Sequence, residues 1–180
     1  MTTSELKGGP TQPEICAVAV DKLGVQKSDI AVDIGCGTGT VSIALAERAE
    51  HVYAIDIREE AIRVAQNAIL TGGCSNITLV LGNATEFLED LDEDEIIDVA
   101  FIGGTQDLET VLLALVERRV RSIVVNAVLL ETAVLAISTM KRLGIFSEAV
   151  HLQVSRAHDL NGKTIFKPIN PIYIITGRCR

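Results

Sequence analysis

Tryptophan is absent from the 180 residues, and two tyrosines and four phenylalanines are too few for a row of rings on which nucleic-acid bases could stack. A basic face is missing too. With 16 Lys/Arg against 24 Asp/Glu the net charge is -8, which removes the electrostatic footprint of a phosphate-backbone binder. Nucleic acid is therefore not an expected partner. Cys16, Cys36, Cys74 and Cys179 form no C-x-x-C pair, and the start MTTSELKGGPTQ lacks the basic and then apolar pattern of a secretory signal. The expectation is a cytoplasmic protein with reduced thiols. Hydrophobic residues make up 48%, but apolar stretches such as 122–130 are interrupted by Asn126 and Glu131 well short of membrane-spanning length. No membrane association is expected. The acidic run EDLDEDE at 89–95 reads as a solvated turn without metal-binding spacing, so no metal is expected either.

What is present is an alternation of apolar runs and helical patterns with no composition break and no internal repeat. A single domain over 1–180 accounts for that length. GGPTQPE leads into a first helix over Ile15–Leu23, with Thr11 and Glu14 in capping-box spacing and Pro13 in the first turn. IAVDIG, HVYAID, ITLVLG, IIDVAFIGG and RSIVVNAV read as five buried strands. Helical patterns at 40–49, 59–70, 84–91, 108–118 and 131–143 follow them, the second closed by Gly72-Gly73. Strands joined by crossover helices predict a three-layer α/β fold with a parallel sheet. The end of the chain then changes rhythm. FSEAVHLQVSRA reads as a long strand, HDLNGKTIFKPINP as a loop and IYIITGRC as a further strand. Two strands without a helix between them predict an antiparallel C-terminal hairpin on a mostly parallel, seven-stranded, Rossmann-like sheet.

The first strand ends in Gly35, Gly37 and Gly39, which let the chain turn sharply and let a ligand approach the backbone. The helix behind them offers free N–H groups to an anion. A dinucleotide fingerprint would be G-x-G-x-x-G; here the spacing is G-x-G-x-G, Thr40 stands where its third glycine would fall, and Asp33 lies just upstream. S-adenosylmethionine suits this arrangement better. Its carboxylate fits the amides, its ammonium fits an acid such as Asp33, and its ribose diol fits a bidentate carboxylate at Asp56, at the end of strand two. Cys36 lies inside this loop, and its thiol reads as a small buried filler rather than a nucleophile. Thr11 reads with equal weight as a helix cap or a ligand contact.

GGPTQPE, AVDIGCGTGTVSIALA, VYAIDIREEAI, LGNATEFL, DVAFIGGT and NAVLLET together resemble the decarboxylating cobalt-precorrin C(15)-methyltransferases of cobalamin biosynthesis, from about Gly8 to Gly177. The glycine loop and Asp56 mark only the wider class I methyltransferase superfamily; GGPT, FIGGT and NAVLLET are the specific parts. The resemblance implies the class I fold and S-adenosylmethionine as cofactor. It places cofactor contacts at Thr11, Asp33, Gly35, Cys36, Gly37, Thr38, Gly39, Asp56, Ile57, Asn83, Ala84 and Gly103. Asn83 departs from the family, which usually has an acid there; its amide oxygen can still pair with the adenine amino group. The resemblance further implies a homotetramer and methyl transfer to C-15 of cobalt-precorrin-6B, with loss of the C-12 acetate carboxyl as carbon dioxide.

Such a substrate is a polycarboxylate, and charge is distributed to suit it. Residues 1–155 carry 11 Lys/Arg against 23 Asp/Glu, whereas 156–180 carry five against one. Arg156, Lys163 and Lys167 are the expected substrate-binding cations, and Glu131 and His158 the expected proton relays. Gly103-Gly104-Thr105 occupies the place where amino-group methylating enzymes carry an Asn/Asp-Pro-Pro-aromatic motif and catechol-type enzymes a metal-binding carboxylate. Two glycines there are expected to leave room for a large flat substrate. Two alternatives stay open: a metal-independent methyltransferase for another small molecule, and a nucleotide-binding Rossmann-like module without catalysis.

Overall fold

A strand covered by helices on both faces has to be apolar throughout, and the short β-branched runs of this chain meet that requirement. The structure, a computed structural model, describes residues 9–92, 94–104 and 106–179. The runs become β1 (Ile30–Ile34), β2 (His51–Asp56), β3 (Ile77–Leu81), β4 (Val99–Ile102) and β5 (Ser122–Ala127), paired in parallel in the order β3-β2-β1-β4-β5. Every residue of β4 and β5 is buried. The helices are α1 (Pro13–Leu23), α2 (Thr40–Ala46), α3 (Glu59–Gly72), α4 (Ala84–Asp90), α5 (Leu108–Glu117) and α6 (Leu130–Arg142). Ala19 and Leu23 of α1 and Leu45 of α2 pack with Phe101 and Val124 on one face of the sheet, beside α3. Leu88 of α4, Leu112 and Leu115 of α5 and Met140 of α6 pack with Val32, Ile102 and Val125 on the other. Three layers result.

Beyond β5 the chain reverses. β6 (Phe146–Leu152) forms the far edge, and β9 (Ile172–Arg178) inserts between it and β5, antiparallel to both. The antiparallel pair expected at this end is therefore present, with the last strand inside the sheet. The segment expected to be a loop is not one. Residues 155–168 form β7 (Ser155–Leu160) and β8 (Lys163–Pro168), a separate two-stranded sheet projecting from the β6–β9 connection. Its turn is Asn161-Gly162, with φ of 54° and 76°. Asn-Gly with both residues left-handed is the turn whose twist matches a hairpin, and Leu160↔Lys163 closes it. The long run FSEAVHLQVSRA is accordingly split after Leu152.

Local expectations are corrected at the first helix. Its N-cap is Gln12 rather than Thr11, no side chain caps it, and Pro13 takes the first helical position. Glu14 does not close a capping box; its carboxylate accepts two hydrogen bonds from Arg156 at 2.9 and 2.5 Å. That ion pair ties the hairpin arm to α1.

Candidate active site

In a sheet of this order, loops leaving the carboxyl ends of the strands border a crevice, and a cavity of about 600 Å³ lies there. The loop after β1 forms one wall. Gly35, Gly37 and Gly39 have φ of 76°, 56° and 80°, which excludes ordinary side chains at all three, but the space around each differs. A Cβ on Gly35 would collide with the backbone of Gly104, so this glycine and the Gly103-Gly104 pair exist for each other. The two glycines after β4 therefore let two loops touch, and do not simply leave open room for substrate. A Cβ on Gly39 would press on Ala65 at 3.3 Å; that glycine seats α2 against α3 and does not line the cavity. At Gly37 nothing lies nearer than 3.9 Å, and the residue faces the cavity.

Asp33, fully buried near the end of β1, lines this space. Its Oδ2 accepts from the Ser42 hydroxyl at 2.5 Å, and Oδ1 has no partner among the described residues. Burial lifts this carboxyl to about 7, with the Ser42 bond opposing and the Asp56 charge adding. Asp56 shows the reverse balance. Burial alone would raise it, but hydrogen bonds outweigh that and hold it below its ordinary value. Gly37 N–H donates to Oδ2 at 3.0 Å, Arg58 N–H to Oδ1 at 3.0 Å, and the Arg58 guanidinium to Oδ1 and Oδ2 at 2.9 Å each. Arg58 was not anticipated, although it stands two residues after Asp56 in AIDIREE. Burial pushes the Cys36 thiol well up, as befits a filler rather than a nucleophile.

Thr11, Thr38, Ile57, Asn83, Ala84 and Gly103 also line the cavity. Asn83, however, is the N-cap of α4, and its amide oxygen already accepts from Thr85 N–H at 2.7 Å. The expected pairing of that oxygen with adenine therefore has to share it. Glu131 is exposed in the first turn of α6, and His158, Arg156, Lys163 and Lys167 stand on the arm; none of the five lines the cavity. Cross-strand partners share a face, so the pairs Arg156↔Lys167, His158↔Ile165 and Leu160↔Lys163 put all four basic side chains on one side of the arm. Since Arg156 reaches Glu14 on α1, that side turns toward the helix whose N-cap Gln12 and residue Ile15 line the cavity. The arm's base, at Ile169 and Asn170, lines it as well. Residues missed by the sequence reading include Arg58, Asn126, Ile169, Asn170 and Ile172. Asn126 was legible only as part of NAVLLET.

Comparison with known proteins identifies the family and the fold. Residues 5–177 match the precorrin methyltransferase domain family. A probable cobalt-precorrin-6B C(15)-methyltransferase (decarboxylating) of Methanosarcina acetivorans is 47% identical over 175 residues, covering 96% of this chain and 95% of that protein. Its Methanocaldococcus jannaschii namesake is 34% identical, covering 92% and 88%. The chain superposes on a crystal structure described as precorrin 8w decarboxylase of Methanobacterium thermoautotrophicum with a TM-score of 0.89 at 34% identity, covering 94% and 91%. A precorrin-6y C5,15-methyltransferase structure from Geobacter metallireducens gives 0.88 at 30%, covering 97% and 94%.

Proposed function

The chain belongs to the precorrin methyltransferase family, and from that premise we propose that it methylates C-15 of cobalt-precorrin-6B and releases the C-12 acetate carboxyl as carbon dioxide, giving cobalt-precorrin-7. Residues 1–180 act as one methyltransferase domain. The observation that carries the cofactor reading is that one oxygen of fully buried Asp33, on the cavity wall, has no partner among the described residues. A buried carboxylate left without a partner is costly, and a ligand ammonium removes that cost. The residues present therefore fit S-adenosylmethionine, which when bound supplies a methyl group already activated on a positive sulfur.

Asp33 takes the ammonium, Gly37 gives the backbone approach, and Asp56 takes the ribose diol. For that last contact the Arg58 guanidinium gives up at least one of its bonds to Asp56. Thr11, Thr38, Ile57, Ala84 and Gly103 enclose the remainder, while Gly35, Cys36 and Gly39 hold the loop in shape. The enzyme's task is to align an electron-rich ring carbon with the methyl group and to exclude water. No strong base is needed for that step. When carbon dioxide leaves, the conjugated macrocycle takes up the electron pair, and water supplies the later proton, since Glu131 and His158 both lie outside the cavity.

The basic face of the arm holds substrate carboxylates at the mouth, with Arg156 kept in place by Glu14 until a carboxylate arrives. A homotetramer covers exposed Val128, Leu129, Leu130 and Val134 around the start of α6. The reading is tested by calorimetric titration with S-adenosylmethionine and with NAD. It predicts binding of the first only, abolished in Gly37→Val; equal or preferential binding of NAD would contradict it.

A further inference from the structure

Asn126 lies near the end of β5, 8% exposed, and its Oδ1 has no hydrogen-bond partner among the described residues. The register fixes where it points. Asp33 pairs with Phe101 and Phe101 with Val124, so these three share one face of the sheet. Two residues beyond Val124 in β5, on that same face, stands Asn126, while Gly35 and Gly103 follow the ends of β1 and β4. Asn126 is therefore on the face of the sheet that carries Asp33 and Phe101, with buried Ile174 as its neighbour on β9. It lines the same cavity as Asp33, Ile15 and Ile172.

A buried carboxamide among apolar groups lowers stability unless a partner satisfies it; leucine, of similar size, would carry no such penalty. The residue therefore points to a ligand. The two acids assigned to the cofactor are on β1 and β2, and β5 lies beyond β4 on the opposite side of β1. Asn126 thus faces the substrate end. Because Oδ1 has no partner among the described residues, a half-turn of the amide can present its N–H in place of that oxygen. A neutral donor there is also the choice that avoids burying a cation beside a sulfonium.

We propose that Asn126 donates a hydrogen bond to a carboxylate of the tetrapyrrole inside the cavity and so seats the ring for methyl transfer. This rests on the proposed function and adds a contact to it that the arm does not supply.

The test compares Asn126→Leu and Asn126→Asp with the parent in anaerobic turnover of cobalt-precorrin-6B, S-adenosylmethionine calorimetry and thermal melting. Leucine should leave the melting temperature equal or higher and cofactor Kd within about twofold, while raising the tetrapyrrole KM about tenfold. Aspartate should raise KM further, by about another tenfold, because carboxylate then faces carboxylate. Loss of cofactor affinity in Asn126→Leu would move the residue to the cofactor and overturn the assignment. A lower melting temperature with no ranking of KM between the two variants would make it structural and also overturn it. Should Asn126→Leu fail to fold, Asn126→Ser retains a donor and is expected to show a KM between those of the parent and Asn126→Asp; a parental KM would refute the contact. A parent that binds no S-adenosylmethionine would instead defeat the proposed function, so the two failures are distinguishable.

Discussion

Asp33 is ionised only with difficulty, yet the cofactor reading requires its charge, and this opposition has measurable consequences. Its pKa of about 7 lies above that of the unfolded chain, so its contribution to stability is fully present below about pH 4 and is lost as pH rises through 7. At full ionisation the loss is on the order of 4 kcal/mol at most. Asp33→Asn keeps an acceptor for Ser42 and carries no charge. It should melt several degrees above the parent at pH 8, with the difference vanishing toward pH 4, and it should bind no S-adenosylmethionine. In the parent, cofactor affinity should fall as pH drops from 7.5 to 6, since protonation removes the partner of the ammonium; a flat profile would detach Asp33 from the ligand. Asp56→Ala should weaken cofactor binding by about 2 to 3 kcal/mol with the fold intact, and unchanged affinity would defeat the ribose assignment. The acids at the strand ends were legible in the sequence because their positions follow from strand pattern alone. Arg58 clamping Asp56 was not, because it depends on side-chain bonds that no spacing encodes, whereas Asn83 directly ahead of the helical pattern at 84 is an ordinary N-cap signal that the adenine assignment passed over.

At the scale of elements, the glycine loop and the arm show two kinds of illegibility. G-x-G-x-G announced a ligand loop, and Gly35 and Gly37 both line the cavity, but of the three glycines it is Gly37 that has room around it; Gly35 answers to Gly104 and Gly39 to α3, contacts between segments far apart in the chain. Gly35→Ala should therefore destabilise the fold, whereas Gly37→Val should chiefly abolish binding, a difference that melting and calorimetry resolve together. The arm was missed for the opposite reason, because its signal was local. Asn-Gly between β-prone residues is a hairpin signal, yet turn-forming and basic residues around it made the segment read as loop. If its basic face holds substrate, removing Arg156 and Lys163 together should raise the tetrapyrrole KM and make it less sensitive to salt, with cofactor affinity unchanged. No movement in either KM or its salt dependence would leave the arm as a solvated surface.

For the whole molecule, apolar strand runs separated by helical patterns made the three-layer sheet readable, since a doubly covered strand leaves few alternatives. The insertion of β9 between β5 and β6 and the tie from Arg156 to Glu14 arise only when distant parts meet. Exposed Leu130 and Val134 at the start of α6 belong to the proposed tetramer contact, so Val134→Glu should yield a smaller species by light scattering while the parent runs as a tetramer. The central claim is that this one chain both methylates and decarboxylates a contracted tetrapyrrole. It is tested most directly by anaerobic incubation with cobalt-precorrin-6B and S-adenosylmethionine, following product mass and carbon dioxide together. The account predicts a product that has gained one methyl group and lost one carboxyl, with carbon dioxide released in equal amount. An unmodified tetrapyrrole, with a cofactor-binding protein and intact substrate in hand, would contradict it.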